Sequence, residues 1–277
     1  MSPKTNIHPT AVVEKGAEIG AGASVGPFCC VGGDAVLGDR VELVGHVSIL
    51  GATTVGAGTK IFPQAVIGGA PQNVRHKGSR TTLEIGENCV IREGVTMHVG
   101  SDSESGKTIV GSNGMFMGFS HVAHDCIVGN NVTFANGAVL AGHCEIGDGV
   151  IIGGLTAVQQ FARIGHHAFL GGMSAITGDV IPYGMATGNK ARLRGFNVIG
   201  MKRAGIPRSE IVEMRAAYRM IFDPAAPVSD NLEKARQAYA NAPKVMEIVD
   251  FLSDRGKRPF IVPPLGSDGD DGADDTD

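Results

Sequence analysis

One feature constrains this chain above all others: large apolar side chains recur at every sixth position. From Ile7 the series runs Val13, Ile19, Val25, Val31, Leu37, Leu43, Ile49, Val55, Ile61 and Ile67. From Val110 it runs Phe116, Val122, Val128, Phe134, Leu140, Ile146, Ile152, Val158, Ile164, Leu170 and Ile176. Ile85, Ile91 and Met97 carry the same beat between the two series. A period of six matches neither of the helical repeats, about 3.5 or 3.6 residues, so helical repeat folds are excluded. It is the hexapeptide pattern of a parallel β-helix, in which short strands meet at corners and each coil covers the edge of the one before.

The positions around the large residue repeat as well. Glycine often follows it, as at Gly20, Gly26, Gly32, Gly38, Gly56, Gly129, Gly147 and Gly165, which predicts that these glycines supply the unusual backbone angles of the corners. Four places after it the side chain is small or branched: Ala11, Ala17, Ala23, Cys29 and Ala35, then Cys126, Val132, Ala138, Cys144 and Val150. Both sets are expected to point inward. Such a core explains a composition with 41 glycines, 5% aromatic residues and no tryptophan. Cys29, Cys126 and Cys144 are expected to be buried thiols.

Two polar segments leave the repeat, Ala70 to Thr82 and Gly100 to Lys107, and loops expelled from a solenoid often carry function. The β-helix is expected over residues 1–188, with the periodicity ending at Ile181-Pro182. A basic connector, Asn189 to Phe196, opens a helical region to residue 262, with segments at Glu210 to Phe222 capped by Ser209, at Asp230 to Ala240 capped by Ser229, and from Pro243 to about Ser253. Ile211, Met214, Tyr218 and Ile221 form the apolar stripe of the first, and Val245, Ile248, Val249 and Leu252 that of the last. Residues 263–277 are acidic and expected to be disordered.

Six acids fall in the last ten positions, so the formal net charge of −4 becomes +2 without them, and no basic excess points to nucleic acid. No transmembrane segment or signal sequence is read, and the five cysteines form no CxxC pair, so a cytoplasmic protein with reduced thiols is expected.

The densest chemistry lies in His121-Val122-Ala123-His124-Asp125-Cys126. Asp125 directly follows His124 and is suited to orient its imidazole, as a general base requires. Three imidazoles, His121, His124 and His143, leave a zinc hydratase of the γ-carbonic anhydrase kind open as an alternative, and a scaffold without catalysis as another.

The His-Val-Ala-His-Asp-Cys string resembles that of the UDP-N-acetylglucosamine O-acyltransferases. The resemblance continues through Leu140-Ala-Gly-His143, Ile152-Gly-Gly-Leu-Thr156, Gln160-Phe161, Gly188-Asn189 and Gly195-Phe196-Asn197-Val198, and covers the chain to about residue 255. It implies a left-handed coil of about eighteen residues, in which Gly142 stacks on His124, Gln160 lies two coils along the same column and His143 stacks on Asp125, and a homotrimer with the site between subunits. It also implies transfer of a (R)-3-hydroxyacyl group from acyl carrier protein to the 3-position of a UDP-sugar, the first step of lipid A synthesis.

In that reading His124 is the base, Asp125 holds its ring, and the Gly142 backbone N–H steadies the oxyanion. Gln72, His121 and His143 match sugar- or acyl-contacting positions, with Asn73 next to Gln72 also expected to bind substrate, Gln160, Asn197 and Arg203 match positions nearer the nucleotide, and Gly172, with Met173 beside it, a position that limits acyl length. Arg163, Arg192, Arg194 and Lys202 are candidates for docking the acidic carrier protein. No metal or organic cofactor is called for. The N-acyltransferase later in the same pathway carries an extra N-terminal domain, whereas here the hexads begin at Ile7. Asn73 stands where the family commonly has Asp, Gln159 where it often has His, and Ala204 where a second Arg is frequent. The first two suggest a 3-amino UDP-sugar as the alternative acceptor.

Overall fold

The computed structural model describes residues 4–102 and 105–264. The acidic segment from residue 265 onward lies outside the described residues. Three sheets of eleven, nine and eight strands form the faces of a prism, and the chain visits them in turn. Face one begins at Asn6–Ile7, face two at Val12–Val13 and face three at Glu18–Ile19. Asn6 pairs with Ser24, and Ser24 with Glu42, so a coil takes eighteen residues. The hexad residues fill the lumen: Val25, Val31, Ile49, Ile61, Ile67, Phe116, Val122, Phe134, Ile152 and Leu170 are all fully buried. Each contributes about 1.5–3 kcal/mol by leaving water. Ala23, Cys29, Ala35, Cys126, Ala138, Cys144 and Val150 fill the space between them.

The corners are built differently from the sequence expectation. The left-handed residue sits three places after the large one, and it is often not glycine: Phe28, Arg40, His46, Asn88, Phe119, Asp125, His143 and Phe161 all have φ between 50° and 65°. The glycines that directly follow the large residue are glycine for another reason. A Cβ on Gly20 would lie 2.5 Å from the carbonyl carbon of Gly38 and 2.6 Å from the nitrogen of Asp39, one coil away. Close approach of stacked backbones, rather than backbone angle, excludes a side chain there. Gly20→Ala is therefore expected to destabilise the fold by about 1–3 kcal/mol, as overpacking does. Urea unfolding monitored by circular dichroism checks this, and an unchanged midpoint would show that the coils can separate freely.

Both excursions leave the same edge, between faces two and three. The first connects Val66–Gly69 to Thr82–Ile85 and the second connects Thr96–His98 to Lys107–Val110; each ends one residue earlier than the sequence suggested, and the second also begins one residue earlier. Around them Lys60 pairs with Val90 and Val90 with Met115, and the eighteen-residue spacing then resumes at Met115 and Thr133.

The repeat also runs further than Ile181-Pro182. Gly184–Thr187 adds to face one beside Phe169–Leu170, and the basic connector is itself a strand, Arg192–Phe196, antiparallel to it. Four helices follow among the described residues: α1 (Val198–Arg203), α2 (Arg208–Ile221), α3 (Val228–Ala238) and α4 (Pro243–Ser253). Ser209 and Ser229 do not cap. Pro207 and Pro227 occupy those positions with φ of −60° and −57°, so the fixed proline angle starts each helix earlier than a serine side chain would. In α2 the buried stripe is Ile211, Met214, Ala217 and Ile221. Tyr218, expected on it, is only partly buried and meets Phe196 edge-on at 5.3 Å.

Candidate active site

One coil beyond the second excursion, the edge between faces two and three carries His124 and Asp125. Asp125 takes the left-handed corner position, φ 58°, which turns its carboxylate back beneath the ring of its neighbour. His124 Nδ1 lies 2.8 Å from Asp125 Oδ2. An ionised carboxylate only accepts, so Nδ1 is the protonated nitrogen and Nε2 carries the lone pair.

The carboxylate is held from every side by the second excursion. Oδ2 accepts from the Ser101 N–H at 3.0 Å and the Ser101 hydroxyl at 2.7 Å. Oδ1 accepts from the Ser105 hydroxyl and the Gly106 N–H, both at 3.1 Å. Burial pushes this carboxyl up, but the hydrogen bonds from Ser101 and His124 outweigh it and leave it below its ordinary value. Asp125 therefore stays charged, and its charge stabilises the imidazolium that His124 becomes on taking a proton.

Gly142 follows one coil on. A Cβ there would lie 2.6 Å from His124 Cε1 and 2.9 Å from Nε2, so the imidazole occupies the space that only glycine leaves. The Gly142 N–H has no acceptor among the described residues, and the contrast with a neighbouring edge explains why. Between faces three and one the equivalent N–H groups are taken by side chains one coil further: Ala21 donates to Asp39 Oδ1 at 2.8 Å, and Ser112 to Asn130 Oδ1 at 2.9 Å. On the His124 edge the residue one coil beyond Gly142 is Gln160, which makes no such bond. The result is an open backbone donor beside a base.

His143 stacks on the corner of Asp125, its N–H bonded to the His124 carbonyl at 3.0 Å and its ring perpendicular to that of His124 at 5.0 Å. Phe161 continues the column, parallel to His143 at 4.6 Å. His121 projects outward from face two, with Nδ1 2.7 Å from the Thr96 hydroxyl. Burial lowers its pKa, a hydrogen bond with the Thr96 backbone opposes this, and the nearby His124 adds to the lowering.

The other sequence candidates are spread more widely. Asn73 reaches the cluster through Ser101, whose hydroxyl lies 3.4 Å from Asn73 Nδ2, while its own Oδ1 accepts from the Arg75 N–H. Gln72 is exposed beside it, in a loop that Asp102 binds through Lys77 and Ser79. Those bonds, the Ser79 hydroxyl first and the Lys77 N–H next, lower the Asp102 pKa to about 2. Gln160 is exposed on the same edge. Asn197 caps α1 through Oδ1 to the Gly200 N–H, and donates from Nδ2 to the His167 carbonyl, both at 3.0 Å. Arg203 is exposed in the last turn of that helix. Gly172 and Met173 lie on a different edge, between faces one and two, with Met173 76% exposed. Of the docking candidates, Arg163 is committed to an internal strut with Asp179 at 2.8 Å and Asp254 at 3.1 Å. His124, Asp125 and His143 bring ligand atoms within 4.8 Å of one another, so Asp125 takes the place the zinc alternative gave to His121.

Sequence reasoning missed His98, Ser101, Ser105 and Gly106. His98 meets His121 edge-on at 4.8 Å, and burial, followed by the two neighbouring imidazoles, lowers its pKa to about 4. Its Nδ1 is buried without a partner. The signal was the register: Met97 pairs with Val122, which puts His98 beside Ala123 once the excursion is removed.

Comparison with known proteins gives a consistent result. A family model described as UDP-N-acetylglucosamine O-acyltransferase, domain 2, matches residues 179–261, and one described as bacterial transferase hexapeptide matches residues 107–142. The acyl-[acyl-carrier-protein]–UDP-N-acetylglucosamine O-acyltransferase of Mesorhizobium japonicum is 62% identical over 98% of both chains, and that of Bartonella bacilliformis 54% identical over 95% of this chain and 96% of its own. The crystal structure of the Francisella novicida UDP-N-acetylglucosamine acyltransferase superposes with a TM-score of 0.90 at 33% identity, covering 94% of this chain and 95% of that one. That of Campylobacter jejuni superposes at 0.88 and 32%, over 94% and 100%. The coil is the left-handed β-helix of these proteins, since a coil of the opposite hand cannot superpose so closely.

Proposed function

The chain belongs to the family of UDP-N-acetylglucosamine O-acyltransferases, and from that premise we propose that it transfers an acyl group from acyl carrier protein to UDP-N-acetylglucosamine, the first step of lipid A synthesis. The observation that carries the mechanism is the His124–Asp125 pair at 2.8 Å, with the open Gly142 N–H one coil away. His124 Nε2 takes the proton from the 3-hydroxyl of the sugar as its oxygen attacks the thioester carbonyl. The charge that gathers on that carbonyl oxygen is met by the Gly142 N–H. The tetrahedral species then collapses, the carrier thiolate leaves, and the proton on His124 passes to it. The products are an ester and the free carrier thiol.

The finer assignments extend from this pair. The acyl group is a (R)-3-hydroxyacyl chain, and His121, His143, Gln72 and Asn73 face the sugar and the acyl carbonyl. Gln160, Asn197 and Arg203 serve the nucleotide. The catalyst is a homotrimer. Phe119, Leu155 and Met173 form an exposed apolar column along the edge between faces one and two, 73%, 67% and 76% exposed, and a neighbouring copy laid against it would both cover it and complete a cleft beside His124. In that cleft Gly172 and Met173 would set the length of chain accepted. No helix among the described residues is long and apolar enough to cross a membrane. All five cysteines are free, four of them buried, which supports a reducing cytoplasmic setting.

The test is transfer from a 3-hydroxyacyl carrier protein to UDP-N-acetylglucosamine and to its 3-amino analogue, side by side. Faster ester formation on the hydroxy sugar is expected. A clear preference for the amine would replace the acceptor and keep the base, and transfer to neither would remove the reading.

A further inference from the structure

The corner column between faces three and one carries a cluster of side chains that the reaction above does not use. Beyond Arg163–Ile164 it presents His166 and His167, and Tyr183 takes the next left-handed corner, φ 60°. The Tyr183 ring stacks on His167 at 5.5 Å and meets His166 edge-on at 4.7 Å. From α4, Glu247 closes the group. Its Oε2 accepts the Tyr183 hydroxyl at 2.9 Å and lies 3.3 Å from His166 Nε2, while its Oε1 accepts from Lys244 Nζ at 2.8 Å. A carboxylate only accepts, so Nε2 carries the proton of His166, and its Nδ1 accepts from His167 Nδ1 at 3.0 Å. Burial lowers the His166 pKa against the pull of Glu247, which keeps the ring neutral and this pattern intact at neutral pH.

The same residues fix Asn197. Its N–H donates to the Tyr183 carbonyl at 2.7 Å and its Nδ2 to the His167 carbonyl at 3.0 Å, while Oδ1 caps α1. The Tyr183 N–H is held in turn by the His166 carbonyl at 2.8 Å. Both bonds that tie Asn197 to the prism therefore run to the group that Glu247 clamps. The amide keeps one N–H and one lone pair for a ligand, and it can bind without first ordering a side chain.

We infer that Glu247 is a positioning residue for the acceptor: through the Tyr183 hydroxyl and His166 it holds Asn197 and the start of α1 where the UDP portion is bound. The inference rests on the nucleotide assignment made above. Glu247 is well suited to the task, because α4 buries Val245, Ile248, Val249 and Leu252 and so presents the carboxylate from a rigid element rather than a loop. Lys244, one turn earlier on α4, holds the second oxygen and lies 5.6 Å from the centre of the Tyr183 ring. His124 and Asp125 stand on a different edge, between faces two and three, and are held by their own loop. The clamp thus acts on acceptor binding and leaves proton transfer alone.

Tyr183→Phe removes one hydroxyl and keeps the buried ring, and a melting curve verifies the fold. Its KM for UDP-N-acetylglucosamine is expected to rise about fivefold, the worth of one hydrogen bond, with kcat and the KM for the acyl donor within about twofold of wild type. Glu247→Ala should do the same, and the double variant should be no worse than Glu247→Ala, because both substitutions remove one shared bond. Glu247→Gln, whose amide oxygen still accepts the hydroxyl, should stay within about twofold of wild type. An equal rise in both KM values, additive losses in the double variant, or a Glu247→Gln enzyme as impaired as Glu247→Ala overturns the proposal. Calorimetric titration with UDP, without donor, separates its failure from that of the transferase reading. If wild type transfers nothing yet binds UDP about fivefold more tightly than Tyr183→Phe, the clamp stands alone. If transfer is normal and Tyr183→Phe binds UDP like wild type, the clamp falls alone.

Discussion

Replacing His124 with alanine is expected to lower kcat about 10²–10⁴-fold, the contribution of a positioned general base. The size of the effect follows from how completely the ring is prepared. Its Nδ1–H is spent on Asp125 at 2.8 Å, so Nε2 is left as the acceptor without any search among tautomers. Asp125 is in turn held by Ser101, Ser105 and Gly106, so the base does not reorganise when it becomes charged. Because the ring lies on the outside of a corner, removing it leaves no cavity in the lumen, and the unfolding midpoint should match wild type. Steady-state kinetics with a saturating acyl carrier donor, together with a melting curve, make the check. Turnover within tenfold of wild type in a folded His124→Ala protein would mean that another group takes the proton.

Gly142→Ala is expected to produce the second largest loss, about 10²-fold in kcat, by displacing a reacting group by something near an ångström. One added methyl would sit 2.6 Å from His124 Cε1, and the imidazole is the part that gives way because the backbone is stapled between coils. Yielding moves Nε2 off its line and crowds the N–H proposed to serve the oxyanion. Stability should change little, in contrast to Gly20→Ala, where the new methyl meets backbone that has nowhere to go. The two alanines, one methyl each, should therefore separate cleanly: one loses turnover and the other loses unfolding free energy. Activity at Gly142→Ala near wild type would show that the oxyanion is stabilised elsewhere.

The prism was legible because a period of six has a single structural reading, and the His124–Asp125 pair because adjacent residues need no knowledge of the fold to be placed together. Gly142 and His143 followed from one assumption, the length of a coil, which the pairing of His121 with Val139 bears out. What stayed hidden has a common cause. Ser101, Ser105 and Gly106 act through the closed shape of a loop, and a polar loop has no period from which its contacts can be read. The pairing of Phe260 with Asp179 is a contact between residues about eighty positions apart, outside any repeat. The corner residues were assigned to the wrong glycines because two different demands, left-handed backbone and close stacking, both select glycine. Only the geometry separates Gly22, with φ of 70°, from Gly20, which needs its missing Cβ.

The two excursions from a single edge carry a consequence for how such proteins diverge. Each leaves from one rung and returns to the next with the pairing intact, so the rungs above and below do not register its length. Closing a loop twice as long costs only about 0.6 kcal/mol more. Residues 70–81 can therefore gain, lose or exchange side chains at almost no expense to the scaffold, while the second excursion, tied to Asp125 by four hydrogen bonds, cannot. Variation between related chains should accordingly be lopsided, free in the first excursion and frozen in the one that holds Asp125. Substrate preference would drift along the outside of a machine whose proton-transfer parts are locked to its frame.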